Sequence, residues 1–574
     1  MTTNGDLAGI FREMARMLEL EEVDWKPRAY RKAAYGIQDL ARDVGEVYQE
    51  GGRAALKKIP GVGESMADHI VEYLEEGRIE KFDDLREKYA EGITEIISLE
   101  GVGPKTAKRF ALELGVSNLE ELRKAGEDHR IRKLPGFGKK SEENVLAAIE
   151  TYREGRERML ISVALPIAES ILNHLQEISS VERINYVGSL RRWKETIGDV
   201  DILVASGEAE EVMEGFVGME GVAEVLSRGS TRCSIILEEG VHVDLRVIPK
   251  ESYAAAMQYF TGSREHNIAL RKEALGMNRK LSEYGLFKES GDSIPCENEE
   301  DIYGELGMDY IPPELREDRG EIEAAKAGNL PDLISAEDML GDLHLHTRYS
   351  DGTATIEEMA KAAQEKGYDY IAITDHSKSA RIAGGMDEET IRKQWAEIDD
   401  ISEKCEIRIL KGVEVEILKD GSLDYSDEIL DELEIVIGSV HSSFKLSKRK
   451  MTDRIERALE DEHLDILGHP SGRLIGKRPG FEADFPEIFE AAAERVKVLE
   501  INGQPERMDL NDAAIIAARK KGAKFCIDTD SISPANLDCM KYGLGLARRG
   551  WLTREEVVNT YDLKALKKVF RRIR

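Results

Sequence analysis

A chain of 574 residues is too long for one hydrophobic core and predicts roughly three to five structural units. Its 41% hydrophobic and 34% charged residues fit a globular protein, no apolar run approaches the roughly 18 residues of a membrane span, and the acidic N-terminus does not read as a signal peptide. Five scattered cysteines exclude a zinc ribbon or disulfide framework and point to the cytoplasm, while a net charge of −31 argues against wholesale polyanion binding but not against a local basic track.

Three stretches near the N-terminus repeat one another: IPGVGESMADHIVEYL from Ile59, LEGVGPKTAKRFALEL from Leu99 and LPGFGKKSEENVLAAI from Leu134. Each is an apolar residue, a G-x-G turn (Gly61 and Gly63, Gly101 and Gly103, Gly136 and Gly138) and a helical pattern. This is the helix-hairpin-helix form, in which orphan N–H groups at a helix start can hold a phosphate. Lys105, Lys108, Lys139 and Lys140 add charge. A single G-x-G before a helix is usually only a connection; three copies predict sequence-independent contact with a DNA backbone.

From about Leu160 the chain turns to strands with helices between and before them, an α+β pattern. VGSLRRWKETIGDVDILV places Asp199 and Asp201 two apart in a strand, hence on one face. VHVDLRV sets His242, Asp244 and Arg246 opposite an apolar face. If the two strands are neighbours, three carboxylates converge and call for two divalent ions. Gly188 and Ser189 open a loop able to meet a triphosphate, with Arg192 and Arg191 adding charge.

Gly-Ser, Asp-x-Asp and the third Asp, together with YFTGSREHNIALR and the N-terminal repeats, resemble the X family of DNA polymerases over about residues 1–318. The resemblance implies that Asp199, Asp201 and Asp244 hold Mg2+ or Mn2+, that Tyr259 and Phe260 flank the incoming sugar, and that Gly262 also belongs to the nucleotide site. It implies that Asn267 reaches the base edge in the minor groove, that Arg271 contacts the template strand, and that Lys26 and Tyr30 belong to a 5′-phosphate pocket. The third hairpin motif has no counterpart in polymerase beta. In that enzyme the first hairpin carries a lysine that forms a Schiff base with an abasic sugar; His69 and Ser65 stand at the corresponding lysine positions, so no lyase reaction of that type is expected.

After a stretch rich in Glu, Asp, Gly and Pro (residues 288–338), short β-branched strands alternate with amphipathic helices, the rhythm of a parallel barrel. Ligand-type residues arrive where strands end: His344, His346, Asp351, His376, Glu414, His441, His469 and Asp530. Five of the chain's 11 histidines fall in this set. Mixed imidazole and carboxylate ligands suit Mn2+, Zn2+ or Fe2+. The set resembles the PHP (polymerase and histidinol phosphatase) family over about 340–574, which implies phosphoester hydrolysis by a metal-activated hydroxide and, beside a polymerase, 3′-to-5′ exonuclease action. Arg473 is a candidate for holding substrate phosphate. The family's closing Asp-x-His reads TDSIS here, so Ile532 stands where a ninth ligand belongs. That metal is then expected to be bound weakly or to be completed by water, by a neighbour such as Ser531 or Ser533, or by Asp528 with a backbone shift, leaving nuclease activity reduced or unusually metal-dependent.

The expected architecture is multidomain. An all-α helix-hairpin-helix region comes first, then an α+β nucleotidyltransferase palm with a thumb, then an α/β distorted, TIM-like barrel. The boundaries are 1–85 and 86–157 (helical), 158–250 (palm), 251–318 (thumb), 319–339 (linker) and 340–574 (PHP). The expected partners are gapped or primed DNA and dNTPs, with no membrane and a monomer as default. A barrel that serves only as a metal-stabilised scaffold, and a nuclease with a degenerate polymerase, are the competing readings.

Overall fold

The computed structural model describes residues 3–19, 26–38, 40, 44–88, 93, 96, 97, 99 and 102–573. The N-terminal third is helical. The first hairpin turn lies against the helix Lys26–Gln38: Gly61, at φ +79°, approaches the Lys32 backbone so closely that a Cβ would sit 2.5 Å from its carbonyl carbon. Gly63, Gly103 and Gly138 each cap the following helix (Glu64–Glu76, Pro104–Arg109, Lys139–Glu157) without a side-chain bond, so none of the three caps covers its first-turn N–H groups. Gly101 lies outside the described residues.

The palm is a five-stranded sheet of β1 (Arg183–Tyr186), β2 (Val200–Ala205), β3 (Val222–Arg228), β4 (Arg232–Leu237) and β5 (His242–Ile248), ordered β1-β2-β5-β4-β3. Only the β2–β5 pair is parallel. Alternation along β5 buries Val243, Leu245 and Val247 and turns His242, Asp244 and Arg246 outward. The thumb follows, with helices Tyr253–Thr261 and Arg264–Gly276 packed on a small antiparallel sheet. Residues expected as a linker carry the helix Glu321–Lys326, whose Glu321 ties back to buried His266 at 2.7 Å.

The C-terminal domain is a sheet of seven parallel strands in sequence order: β6 (Gly341–Leu345), β7 (Tyr370–Ile373), β8 (Arg408–Glu416), β9 (Ile435–Ser439), β10 (Ile466–Leu467), β11 (Val498–Asn502) and β12 (Lys524–Asp528). It curls until a parallel bridge between Leu345 and Ser531 joins its first and last strands. Side chains complete the seam: Asp528 Oδ1 accepts the Leu343 N–H (2.8 Å), and Asp342 accepts the Thr529 hydroxyl (2.6 Å). At the strand starts, Leu410, Val498 and Cys526 pack with the C-terminal Leu566 and Phe570. With a period of two, the same strand faces carry Glu414 and Glu500 at the opposite end, and Asp530 follows two residues beyond β12. The barrel is therefore apolar at its floor and ligand-rich at the mouth, the end where parallel barrels build active sites.

Candidate metal centres

In the palm, the parallel register sets Asp201 directly beside Asp244. Asp199 precedes β2 at a bend instead of lying in it, yet its oxygen joins the others: all three carboxylates lie within 4.8 Å of one another. Asp244 is steadied by Arg232 at 2.8 Å and by the Ser234 hydroxyl. Burial, and then the charges of Asp199 and Asp244, push the Asp201 carboxyl up to about 7. Gly188, at φ +66°, lies over this cluster, and a Cβ there would come 2.3 Å from Asp201 Oδ2, so only glycine fits. Ser189 is half-buried in the following turn.

Three carboxylates sharing one point fit divalent cations, which remove the repulsion that raises Asp201. Because the neutral acid is populated below about pH 7, ion affinity is expected to fall as pH drops through that value, with proton release on binding. Calorimetry of Mn2+ binding in buffers of different ionisation enthalpy reads that proton. A release identical in the wild type and Asp201→Asn would contradict the assignment.

The residues around the triad are held by internal contacts. Arg191 pairs with Glu299 (3.1 and 2.5 Å), and Arg192 with Glu317 (3.1 Å) and the Thr261 carbonyl (2.5 Å). Asn267, expected on the base edge, is buried and donates to the Tyr259 carbonyl at 2.7 Å while accepting from Gln258 at 2.8 Å. Tyr259 and Phe260 meet edge to face, capped by Arg271 and Arg246 guanidinium groups at 5.0 and 4.5 Å. A Cβ on Gly262 would sit 3.1 Å from Arg192 Nη1. In the first helical domain Tyr30 is buried with its hydroxyl 3.0 Å from His69 Nε2, and Lys26 is half-buried on the same helix.

At the barrel mouth the structure brings all eight expected ligands together. His344, His346 and Asp530 form one group, His346, Asp351 and His376 a second, and His376, Glu414 and His441 a third, each spanning less than 4.8 Å. His469 Nε2 lies 2.9 Å from Glu414, which sits at the centre. His344 Nε2, both nitrogens of His346, His376 Nδ1, His441 Nε2 and Glu414 Oε2 are buried without a hydrogen-bond partner. Orphaned imidazole nitrogens aimed at carboxylates are the donor set of a metal cluster. Burial would lower His344 and His376, but Glu500, Asp530 and Glu414 overcome it at His344, and Glu414 and Asp351 at His376, raising both well above the usual histidine range: protons gather where cations belong.

The sequence reading missed the carboxylates behind the ligands. Glu500 accepts from His344 Nδ1 (2.5 Å) and from the His469 backbone N–H; Glu416 holds His441 Nδ1 (3.0 Å), the Ser442 hydroxyl (2.6 Å) and buried Arg454 (3.2 Å). Such partners fix ring orientation and tautomer. For Glu500 the available signal was an acid two residues before the end of a short buried strand; Glu416 ends β8, two residues after Glu414. Two expectations differ. Arg473 is turned to the palm, where it pairs with Glu195 at 3.0 and 2.6 Å, and Arg507 stands at the mouth instead, 3.4 Å from Asp530. Asp528 Oδ1 is spent on the barrel seam and Ser531 bonds Thr529; Ile532 offers only its carbonyl, to Thr353 (2.7 Å).

A carboxylate triad beside a Gly-Ser turn, with a histidine-rich mouth on a separate parallel barrel, gives the chain two residue clusters that could hold metal ions, a donor chemistry suited to phosphate. Family models match in the same order: a helix-hairpin-helix domain over residues 2–79, a SAM-like helix-hairpin-helix tandem over 93–151, the DNA polymerase beta thumb over 256–317 and the PHP domain over 342–504. The chain is 36% identical over 572 residues, 99% of both chains, to the DNA polymerase/3′-5′ exonuclease PolX of Bacillus subtilis (strain 168). It belongs to the X family of DNA polymerases that carry a C-terminal PHP domain. Rat DNA polymerase lambda is 25% identical over 334 residues (53% of this chain, 54% of that protein). A probable phosphatase of Thermoanaerobacter sp. (strain X514) is 31% identical over 232 residues, 38% of this chain and 89% of its own.

Proposed function

We propose that this chain is a template-directed DNA polymerase that fills short gaps during repair, with a 3′-to-5′ exonuclease in its barrel. The observation that carries the synthetic half is the Asp199–Asp201–Asp244 cluster under the Gly188 turn. Divalent ions held there would lower the pKa of a primer 3′-hydroxyl and neutralise the leaving pyrophosphate. The chain's own groups do the rest. The Gly188–Ser189 turn and Arg192 receive the triphosphate, Tyr259 and Phe260 seat the sugar, and the open hairpin caps hold the DNA backbone without reading sequence. Incorporation into a one-nucleotide gap, offered each dNTP singly, tests this: only the complementary nucleotide is expected to extend the primer, and untemplated addition of all four would refute it.

The exonuclease half rests on the eight mouth residues and their two supporting carboxylates. Ions bound there would polarise a phosphodiester and supply a nucleophile from water. Glu500 and Glu416 orient His344 and His441, and Arg507 offers charge near the scissile phosphate. The first hairpin faces this domain: Lys32, Lys57, Lys58 and Gly61 line a cleft with Arg348 and Gly352, next to Asp351. Ile532 leaves the Asp351 position one ligand short. Ile532→His is expected to raise metal content and exonuclease rate severalfold; an unchanged metal stoichiometry would count against the deficit. His69, half-buried against Tyr30, carries no amine, so borohydride should trap no covalent adduct with an abasic 5′ end at this domain.

A further inference from the structure

The palm loop that leaves the Gly-Ser turn, Arg192–Glu195, is held by the barrel domain. Trp193, in the left-handed region at φ +54°, packs on Gly545 so closely that a Cβ there would lie 2.7 Å from its ring. Arg549, which ends the helix Met540–Arg549, is 2% exposed and reaches three acceptors. It donates to the Arg192 carbonyl at 2.6 Å, to Glu317 Oε1 at 3.0 Å and to Asp512 Oδ2 at 2.5 Å. The same Glu317 oxygen accepts Arg192 Nε at 3.1 Å. One carboxylate oxygen thus serves two arginines, one from each domain.

Arg192 cannot hold Glu317 and meet an incoming triphosphate with the same nitrogens. Were Glu317 paired with Arg192 alone, releasing Arg192 would strand a largely buried carboxylate, which is strongly unfavourable. Arg549 changes that balance, because it keeps its own bond to Glu317 when Arg192 leaves. Lys194 stands 3.7 Å from Glu317 and is a third exposed, a weaker substitute. Asp512 anchors the other arm of Arg549, and Arg319 backs Asp512 at 3.1 Å.

We infer that Arg549 of the barrel domain is a positioning residue for nucleotide binding in the palm: it keeps Glu317 neutralised, so that the Arg192 guanidinium is free to turn to the triphosphate. The inference rests on the reading of Arg192 as a triphosphate ligand. It gives the barrel a second role in synthesis that does not depend on its own metal cluster.

Gap-filling kinetics on the full chain test it. Arg549→Gln is expected to raise the KM for dNTP about tenfold with kcat changed far less, and to leave primer degradation unchanged. In a Glu317→Gln background the same substitution should alter KM by less than about twofold, because its target is already neutral. Equal effects in both backgrounds would overturn the inference, as would a KM unchanged by Arg549→Gln. If Arg549→Gln lost both activities, the cycle would be run with Arg549→Lys, whose single amine cannot bridge all three acceptors, and the same two results decide. Arg192→Ala separates the underlying reading: if it leaves KM for dNTP unchanged, that reading fails; if it raises KM while the Arg549 variants do not, only the present inference fails.

Discussion

Asp201→Asn is expected to lower nucleotide incorporation by about a thousandfold or more while leaving primer degradation at the wild-type rate. The substitution keeps the shape of the side chain and removes one negative charge from the point where Asp199 and Asp244 converge. The amide places an N–H donor where a cation has to sit, so the loss is one of ion binding and not of packing. Folding should be preserved or improved, since burial beside two like charges disfavours the ionised Asp201. Thermal melting and single-turnover incorporation together check this: a variant that melts no lower than the wild type yet incorporates at a near-normal rate would remove Asp201 from the site.

The second large effect belongs to the barrel. Replacing His344 and His346 together with alanine is expected to abolish primer degradation to within background, a loss of about a thousandfold, with incorporation retained. Both imidazoles are buried at the mouth, present nitrogens without hydrogen-bond partners, and lie within reach of Asp530 at 3.7 and 3.1 Å. Their removal takes two of the three ligands from one group and one of three from the next. Metal analysis of the purified protein should show lower occupancy alongside the lost activity. Wild-type metal content with no exonuclease would instead place the two histidines on substrate. Full exonuclease activity would return the barrel to the role of scaffold.

Much of this was legible in the sequence because strand periodicity and ligand chemistry act locally. Asp244 could be placed on a polar face from alternation alone, and Asp201 joined it once β2 and β5 were neighbours; Asp199 reaches the same point from a bend before β2, which alternation does not predict. Most of the barrel ligands were legible because they sit at the end of a short apolar run that can only be a strand; Asp351, in the turn after β6, was legible from its motif. What stayed hidden depends on contacts distant in sequence. Glu500 looked like one acid among many until the fold set it 156 positions away against His344. Arg473 follows a ligand motif and read as a phosphate holder, yet Glu195, 278 positions away, claims it. β3 escaped notice because all but its first residue are exposed, so it carries no alternation of burial. The Arg192–Glu317–Arg549 bridge has no local signature at all, since an arginine in a helix ending RRG reads simply as a solvated C-terminal turn.

The central claim is that one chain holds two independent metal centres, one that extends a primer and one that shortens it. A crossed assay on a single gapped substrate in Mn2+ addresses it directly, following primer length with and without the complementary dNTP for the wild type, Asp201→Asn, and His344→Ala with His346→Ala. The account predicts reciprocal losses: the first variant only shortens the primer, the second only extends it, and the wild type does either according to whether dNTP is present. A single substitution set that abolishes both reactions would contradict it.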